Sequence, residues 1–130
     1  MTADGAAGGE GRLRLPRNAR ITASGDIRSL FRRGKRRKTR HLDVFISTSP
    51  VSHARWGIVV PKHRRRIVER NRLKRRIREI VRTVAIPQLR AADAAYDVLF
   101  RARPEAYEAS FTELLGEISG VTEELCSRER

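Results

Sequence analysis

At 130 residues the chain has room for one domain, and 39% hydrophobic content with 5% aromatics restricts that domain to a modest core. Its 29 Lys/Arg against 15 Asp/Glu leave a net charge of +14, which directs it to polyanions, nucleic acid above all. No apolar run reaches the length of a membrane span and no secretory leader pattern opens the chain. The one cysteine, Cys126, excludes an intramolecular disulfide, so a cytoplasmic setting is expected with no membrane association.

The charge is unevenly placed. Residues 12–82 hold 24 Lys/Arg and four Asp/Glu, residues 83–130 hold five and nine, and residues 1–11 hold two acids. An anion-binding surface therefore belongs to the first two-thirds of the fold. Residues 1–11 are small and Gly-rich and read as a flexible tail, 12–126 as a single RNA-binding domain, and 127–130 as a C-terminal tail.

After a basic lead broken at Pro16, Ser24–Gly34 predicts a short helix. Ser24 caps it, Asp26 suits its positive end, Ile27, Leu30 and Phe31 share a face, and Gly34 stops it. Lys35–Arg40 reads as an exposed basic connection. Leu42–Thr48 alternates with period 2, placing Leu42, Val44 and Ile46 on one side and Phe45 on the other. After a turn at Ser49-Pro50, Arg55–Val60 reads as a second strand, expected to pair antiparallel with the first. A helix over 67–86 follows, ending before Pro87, and then a buried strand at Tyr96–Arg101. Ser110-Phe-Thr-Glu113 is a capping box opening the last helix, whose expected core face is Phe111, Leu114, Leu115, Ile118, Val121 and Leu125. The order strand–helix–strand implies a βαβ unit with parallel strands, by the general rule right-handed. The expected class is α+β: one mixed sheet with helices on one side.

The stretch Lys62–Arg82 (KHRRRIVERNRLKRRIREIVR) carries eleven Lys/Arg and two acids, Glu69 and Glu79. Leu73, Ile77, Ile80, Val81 and Val84 form an apolar stripe at helical spacing. Asn71, Lys74, Arg75, Arg78 and Arg82 fall opposite, flanked by Arg72 and Arg76. A merely solvated face would mix signs at i, i+4. Crowded like charges instead call for a polyanionic partner, and arginine's planar fork suits phosphate. Asn71 is a candidate for a sugar or base edge, or alternatively for local backbone bonding at a helix start. Phe45, alone among polar residues on its face, either stacks an unpaired base or belongs to a second hydrophobic layer under a helix.

Catalytic signals are missing. His41, His53 and His63 lie far apart with no metal-ligand spacing, and the pairs Glu113/Glu117 and Glu123/Glu124 read as a solvated helix face. No residue is assigned a catalytic or metal-binding role. A ribosomal or ribosome-assembly protein explains the charge equally well, and a helix-turn-helix regulator is disfavoured because the basic helix lies between strands.

Arg70-Asn71-Arg72-Leu73-Lys74-Arg75-Arg76-Ile77-Arg78 resembles the Arg-Asn-Arg signature of the bacterial ribonuclease P protein family, after a strand similar to that family's in Gly57–Lys62. Phe31-Arg-Arg-Gly34 resembles the end of its first helix. Tyr96–Arg103 with Phe111-Thr-Glu-Leu resembles its fourth strand and last helix. The match spans roughly 12–120. It implies a compact α–β sandwich with a left-handed crossover, against the general rule. It also implies partnership with a catalytic RNA that removes 5′ leaders from precursor tRNA, the RNA and its Mg²⁺ performing the cleavage. No cofactor of the protein itself and no obligate protein partner is implied. By resemblance Arg70, Asn71, Arg72, Lys74, Arg75, Arg78 and Arg66 touch RNA, while Lys62, Phe31 and Phe45 belong to the side of the leader cleft. The chain departs from the family at Ile27, where a second aromatic is common, and at His63–Ile67, where lysine and small residues are usual.

Overall fold

The computed structural model describes Arg20, Ile21 and residues 23–128. The expected tail at 1–11 and its boundary with the domain lie outside the described residues. The elements are α1 (Ser24–Arg33), β1 (Lys35–Lys38), β2 (Leu42–Thr48), β3 (Arg55–Val59), α2 (Ile67–Ile80), a π-helical turn (Val81–Ala85) and α3 (Ile86–Ala91). They end with β4 (Tyr96–Ala102), a 3-10 turn (Pro104–Glu108) and α4 (Phe111–Ser127). The class is α+β, as the periodicities predict.

The four strands form one sheet in the order β1-β2-β4-β3. β2 pairs antiparallel with β4 (Val44 opposite Phe100), and β3 pairs parallel with β4 (Gly57 opposite Leu99). The expected β2–β3 hairpin is thus corrected. The continuous apolar run Val98-Leu99-Phe100 buries both faces of β4, so β4 takes the middle and separates the two strands. The link from β2 to β3 crosses the start of β4, where Ser49 N–H donates to the Ala95 carbonyl at 3.0 Å. β1 is a second correction. Its four residues are exposed and carry no hydrophobic alternation, yet their backbone completes the edge of the sheet against Asp43–Ile46.

α2, α3 and α4 cover one face, where Leu42, Val44, Ile46, Val98 and Phe100 meet Leu73, Ile77, Ile80, Leu114, Ile118 and Leu125. α1 covers the other face, with Ile21, Leu30, Phe45 and Leu99 forming a second, smaller core. Helices therefore occupy both sides of the sheet. The residues pointing away from the main layer include Phe45 and Leu99, which need their own apolar cover.

Local chemistry explains most boundaries. Ser110 Oγ accepts from Glu113 N–H at 3.1 Å while Glu113 returns the contact to Ser110 N–H at 2.9 Å, the expected capping box. Phe111 is exposed rather than core, because the first residue of α4 precedes the turn that meets the sheet. Ala23, not Ser24, caps α1, and no side chain supplies a cap bond. Gly34 ends α1 through close approach. A Cβ there would sit 2.6 Å from the Leu30 carbonyl oxygen and 3.3 Å from the Ile46 backbone. The basic helix does not stop before Pro87. Proline lacks an N–H and its ring clashes with the carbonyl four residues back, here Thr83. The π-turn, closed by Ile86 N–H to the Val81 carbonyl, widens the rod at that point and lets it run on to Ala91.

Candidate nucleic-acid interface

The basic helix is held by its apolar stripe: Leu73, Ile77, Ile80 and Val81 are buried, Ile77 and Ile80 completely. That anchoring turns Asn71, Arg72, Arg75 and Arg78 outward, with Lys74 half-buried at the margin. The only acids on α2 are engaged locally. Glu69 pairs with Arg65 at 3.2 Å, and Glu79 pairs with Arg82 at 2.6 Å. Among the described residues Arg72, Lys74, Arg75 and Arg78 have no acidic partner. Their charges lie within a turn or two of one another and are compensated by nothing among the described residues. Asn71 makes no protein hydrogen bond among the described residues, so its amide is not spent on the local backbone.

Arg70 stands apart from its neighbours. It is half-buried, its Nη2 reaches back to the Val60 carbonyl at 3.4 Å, and its Nε is sealed from solvent without a partner. At the fourth helical position its side chain faces the strand and links α2 to the end of β3.

The approach to α2 is a tight turn. Arg65 N–H donates to the Lys62 carbonyl at 2.8 Å, and His63 (φ 45°) and Arg64 (φ 61°) both adopt the left-handed conformation. For residues with a Cβ this costs on the order of 1–2 kcal/mol each, so the surroundings must hold the turn. Tyr107 hydroxyl donates to the Pro61 carbonyl at 3.1 Å, and His63 Nε2 lies 3.3 Å from the Ala102 carbonyl. The Arg65 guanidinium covers the Tyr107 ring at 4.7 Å and bonds Glu108 at 2.9 Å and Glu69 at 3.2 Å. The Glu108 bond, opposed by desolvation, raises the Arg65 pKa, while burial raises that of Tyr107. The Glu69 carboxyl is lowered, chiefly by accepting the Arg66 backbone N–H. Arg65 is thus a clamp, and Lys62, Arg64 and Arg66 are left exposed beside the helix.

On the opposite side of the sheet the expected aromatic pair comes together, but not as a stacking platform. Phe31 and Phe45 meet edge to face, centroids 4.9 Å apart, and Phe45 is 8% exposed. The alternative of a second hydrophobic layer is the correct one for Phe45, since α1 lies over it. Phe31 is half-buried, and the exposed Arg101 places its guanidinium 5.6 Å from the Phe31 ring. Sequence reading missed Arg101, though a signal exists: it is the one cation in β4, on the face opposite Phe100. Val59 lies beside Arg101 in the parallel ladder, so the chain leaves β3 toward Lys62 at this end of the sheet.

The carboxylates of α4 are not a simple solvated face. Glu117 accepts from Thr39 Oγ1, from His41 N–H and from the His41 ring, fixing the β1–β2 turn. Burial pushes its carboxyl up, but these bonds outweigh burial and leave it below the ordinary range. Glu124 pairs with Arg37 at 3.0 Å and Glu113 with Arg40 at 3.6 Å. Among the described residues no group of three or more His, Cys, Asp or Glu is arranged to hold a metal ion, and no helix is long and apolar enough to cross a membrane.

The family model Ribonuclease P matches residues 15–126. The ribonuclease P protein component of Acidothermus cellulolyticus is 37% identical over 107 residues, 79% of this chain and 84% of that protein. That of Syntrophobacter fumaroxidans is 32% identical over 111 residues, 85% of this chain and 91% of that protein. The fold is similar to that of the ribonuclease P protein from Thermotoga maritima, with TM-score 0.67 and 21% identity, covering 81% of this chain and 96% of that one. It is likewise similar to the Staphylococcus aureus protein, with TM-score 0.65 and 24% identity, covering 82% and 94%. The chain belongs to the family of the ribonuclease P protein component, a subunit of the ribonucleoprotein endonuclease of tRNA processing.

Proposed function

We propose that the chain is the non-catalytic subunit of this enzyme and that its RNA partner, with Mg²⁺, carries the cleavage. The observation that supports this is the outward face of α2. Arg72, Lys74, Arg75 and Arg78 are uncompensated and held in register by Leu73, Ile77 and Ile80. Such a face grips folded RNA through its phosphates and releases counterions. Exposed Lys62, Arg64 and Arg66 extend it past the helix start, and the Asn71 amide is free to read a sugar or base edge. Among the described residues no group of three or more His, Cys, Asp or Glu could hold a metal ion, and on this reading the hydrolytic chemistry is assigned to the RNA and its bound ions. The 5′ leader of precursor tRNA is assigned to the sheet end formed by Phe31, Arg101 and Lys62, where one aromatic edge and two cations suit a single strand. The single cysteine suits work in the cytoplasm.

The test compares precursor-tRNA cleavage by the protein, by the catalytic RNA and by both together in Mg²⁺. Accurate removal of the leader with the reconstituted particle, and none with protein alone, is expected. Site-specific cleavage by RNA-free protein would overturn the assignment of the chemistry.

A further inference from the structure

At the outer edge of the sheet, α2 and the segment before α1 enclose a small cleft that borders the α2 face at Lys74 and Arg78. Arg20–Ile21 runs parallel to β3, with Ile21 N–H donating to the Trp56 carbonyl at 2.7 Å. The cleft holds about 190 Å³. Pockets for drug-sized ligands start near about 300 Å³, so this one suits a single nucleotide unit. Its rim carries three cations, Arg20, Lys74 and Arg78, and no acid. None of the three has an ion-pair partner among the described residues.

The floor differs from an ordinary phosphate site. Ile21, Ile27 and Ile58 line it with apolar surface, and so does Trp56, the chain's one tryptophan. Trp56 is 3% exposed, and its Nε1–H is sealed from solvent with no acceptor among the described residues. Buried indole N–H groups nearly always find a partner. Trp56 lines a cleft whose charged side chains are all cations, so an anionic guest there is suited to supply the missing acceptor. The Arg20 guanidinium stands 5.6 Å from the Trp56 ring, closing one side of the mouth.

We propose that this cleft binds one unpaired nucleotide of the RNA partner. Its phosphate lies among Arg20, Lys74 and Arg78. The flat face of its base or ribose rests on Ile21, Ile27 and Ile58. An oxygen of the nucleotide takes the Trp56 Nε1–H once the overlying side chains part slightly. The inference rests on the reading that α2 binds RNA. It gives Lys74 and Arg78 a defined pocket at the border of the α2 face, apart from the Phe31–Arg101 end of the sheet. The mixture of cations with apolar floor favours a nucleoside phosphate over a bare anion.

Because Trp56 is the one tryptophan, its fluorescence reads the pocket directly. The intact chain is titrated with a uridine trinucleotide, uridine 5′-monophosphate and inorganic phosphate. Binding of the catalytic RNA by the same preparation is measured in parallel. A saturable change in Trp56 emission with the trinucleotide is expected, with apparent affinity lowered about tenfold in R20A and in K74A, the loss of one charge-assisted contact. W56F keeps an apolar ring and removes the N–H. With its fold checked by thermal melting, it should bind a labelled trinucleotide about tenfold more weakly by anisotropy. Unchanged emission while the catalytic RNA still binds would overturn the pocket and leave the RNA reading standing. Loss of binding to both would overturn both. An equal response to inorganic phosphate would reduce the cleft to a plain anion site and overturn the nucleotide assignment.

Discussion

The Phe45 and Phe31 rings meet edge to face, with centroids 4.9 Å and planes 85° apart, and that contact divides structural from accessible aromatic surface on the α1 side. Phe45 is the foundation and Phe31 the rim. Truncating Phe45 to alanine should cost roughly 3–5 kcal/mol, typical of a buried phenylalanine, and should weaken particle assembly with any tRNA equally. Phe31→Ala should cost less stability and act mainly on precursor tRNA carrying a leader. Denaturant melts, paired with binding of precursor and mature tRNA to each reconstituted particle, check the division. A leader-specific defect confined to Phe45→Ala would reverse it.

On α2, Ile77→Ala and Arg75→Ala should fail in different ways. Ile77 is fully buried, so its truncation should remove roughly 2–5 kcal/mol of stability. Arg75 is exposed and surrounded by like charge, so its removal should shift stability by about 0.5 kcal/mol at most. Its RNA affinity should fall, and the slope of log affinity against log salt should shrink by about one unit for one lost phosphate contact. Unfolding of Arg75→Ala with an unchanged salt slope would mean the helix faces the other way.

The Glu117 carboxyl ties α4 to the turn at Thr39–His41, and its pKa lies below the ordinary carboxylate value in the folded protein. A depressed folded pKa contributes stability that is present above the unfolded value, about 4.3, and is lost as pH falls through the folded pKa. Glu117→Gln should therefore flatten the acid limb of stability against pH. Glu117→Ala should cost about 1–3 kcal/mol near neutrality by stranding buried donors. Equilibrium melts between neutral pH and the acid transition measure both effects. A wild-type and a Glu117→Gln curve that remain parallel into acid would remove the assignment.

Gly34→Ala should destabilise the protein by about 1–3 kcal/mol, as overpacking does. The backbone there has φ −70°, which any residue adopts. The penalty comes instead from a Cβ driven to 2.6 Å from the Leu30 carbonyl. Gly25→Ala, where nothing lies within 4 Å, is the matched control and should be neutral or mildly stabilising. Thermal melts of the two variants side by side decide whether close approach is the cause.

Local periodicity, taken alone, determined the amphipathic α2, its buried stripe and outward arginines, the capping box at Ser110 and the buried character of β4. Those features depend on residues three, four or two positions apart, and chemistry at that range is written directly in the chain. The Arg-Asn-Arg block also carried the family. Tertiary structure alone decided the rest. β1 became a strand through backbone pairing with β2, which no side-chain pattern in KRRK announces. β4 entered between β2 and β3 because a doubly buried strand needs neighbours on both edges, a requirement that only the assembled sheet meets. Arg65 and Arg70 look like their neighbours in sequence, yet Tyr107, Glu108 and the Val60 carbonyl, brought in from elsewhere in the fold, give them partners within the protein. Phe45 is core because α1 lies over it, and the unpaired Trp56 N–H becomes a site because three cations from two separate segments converge beside it.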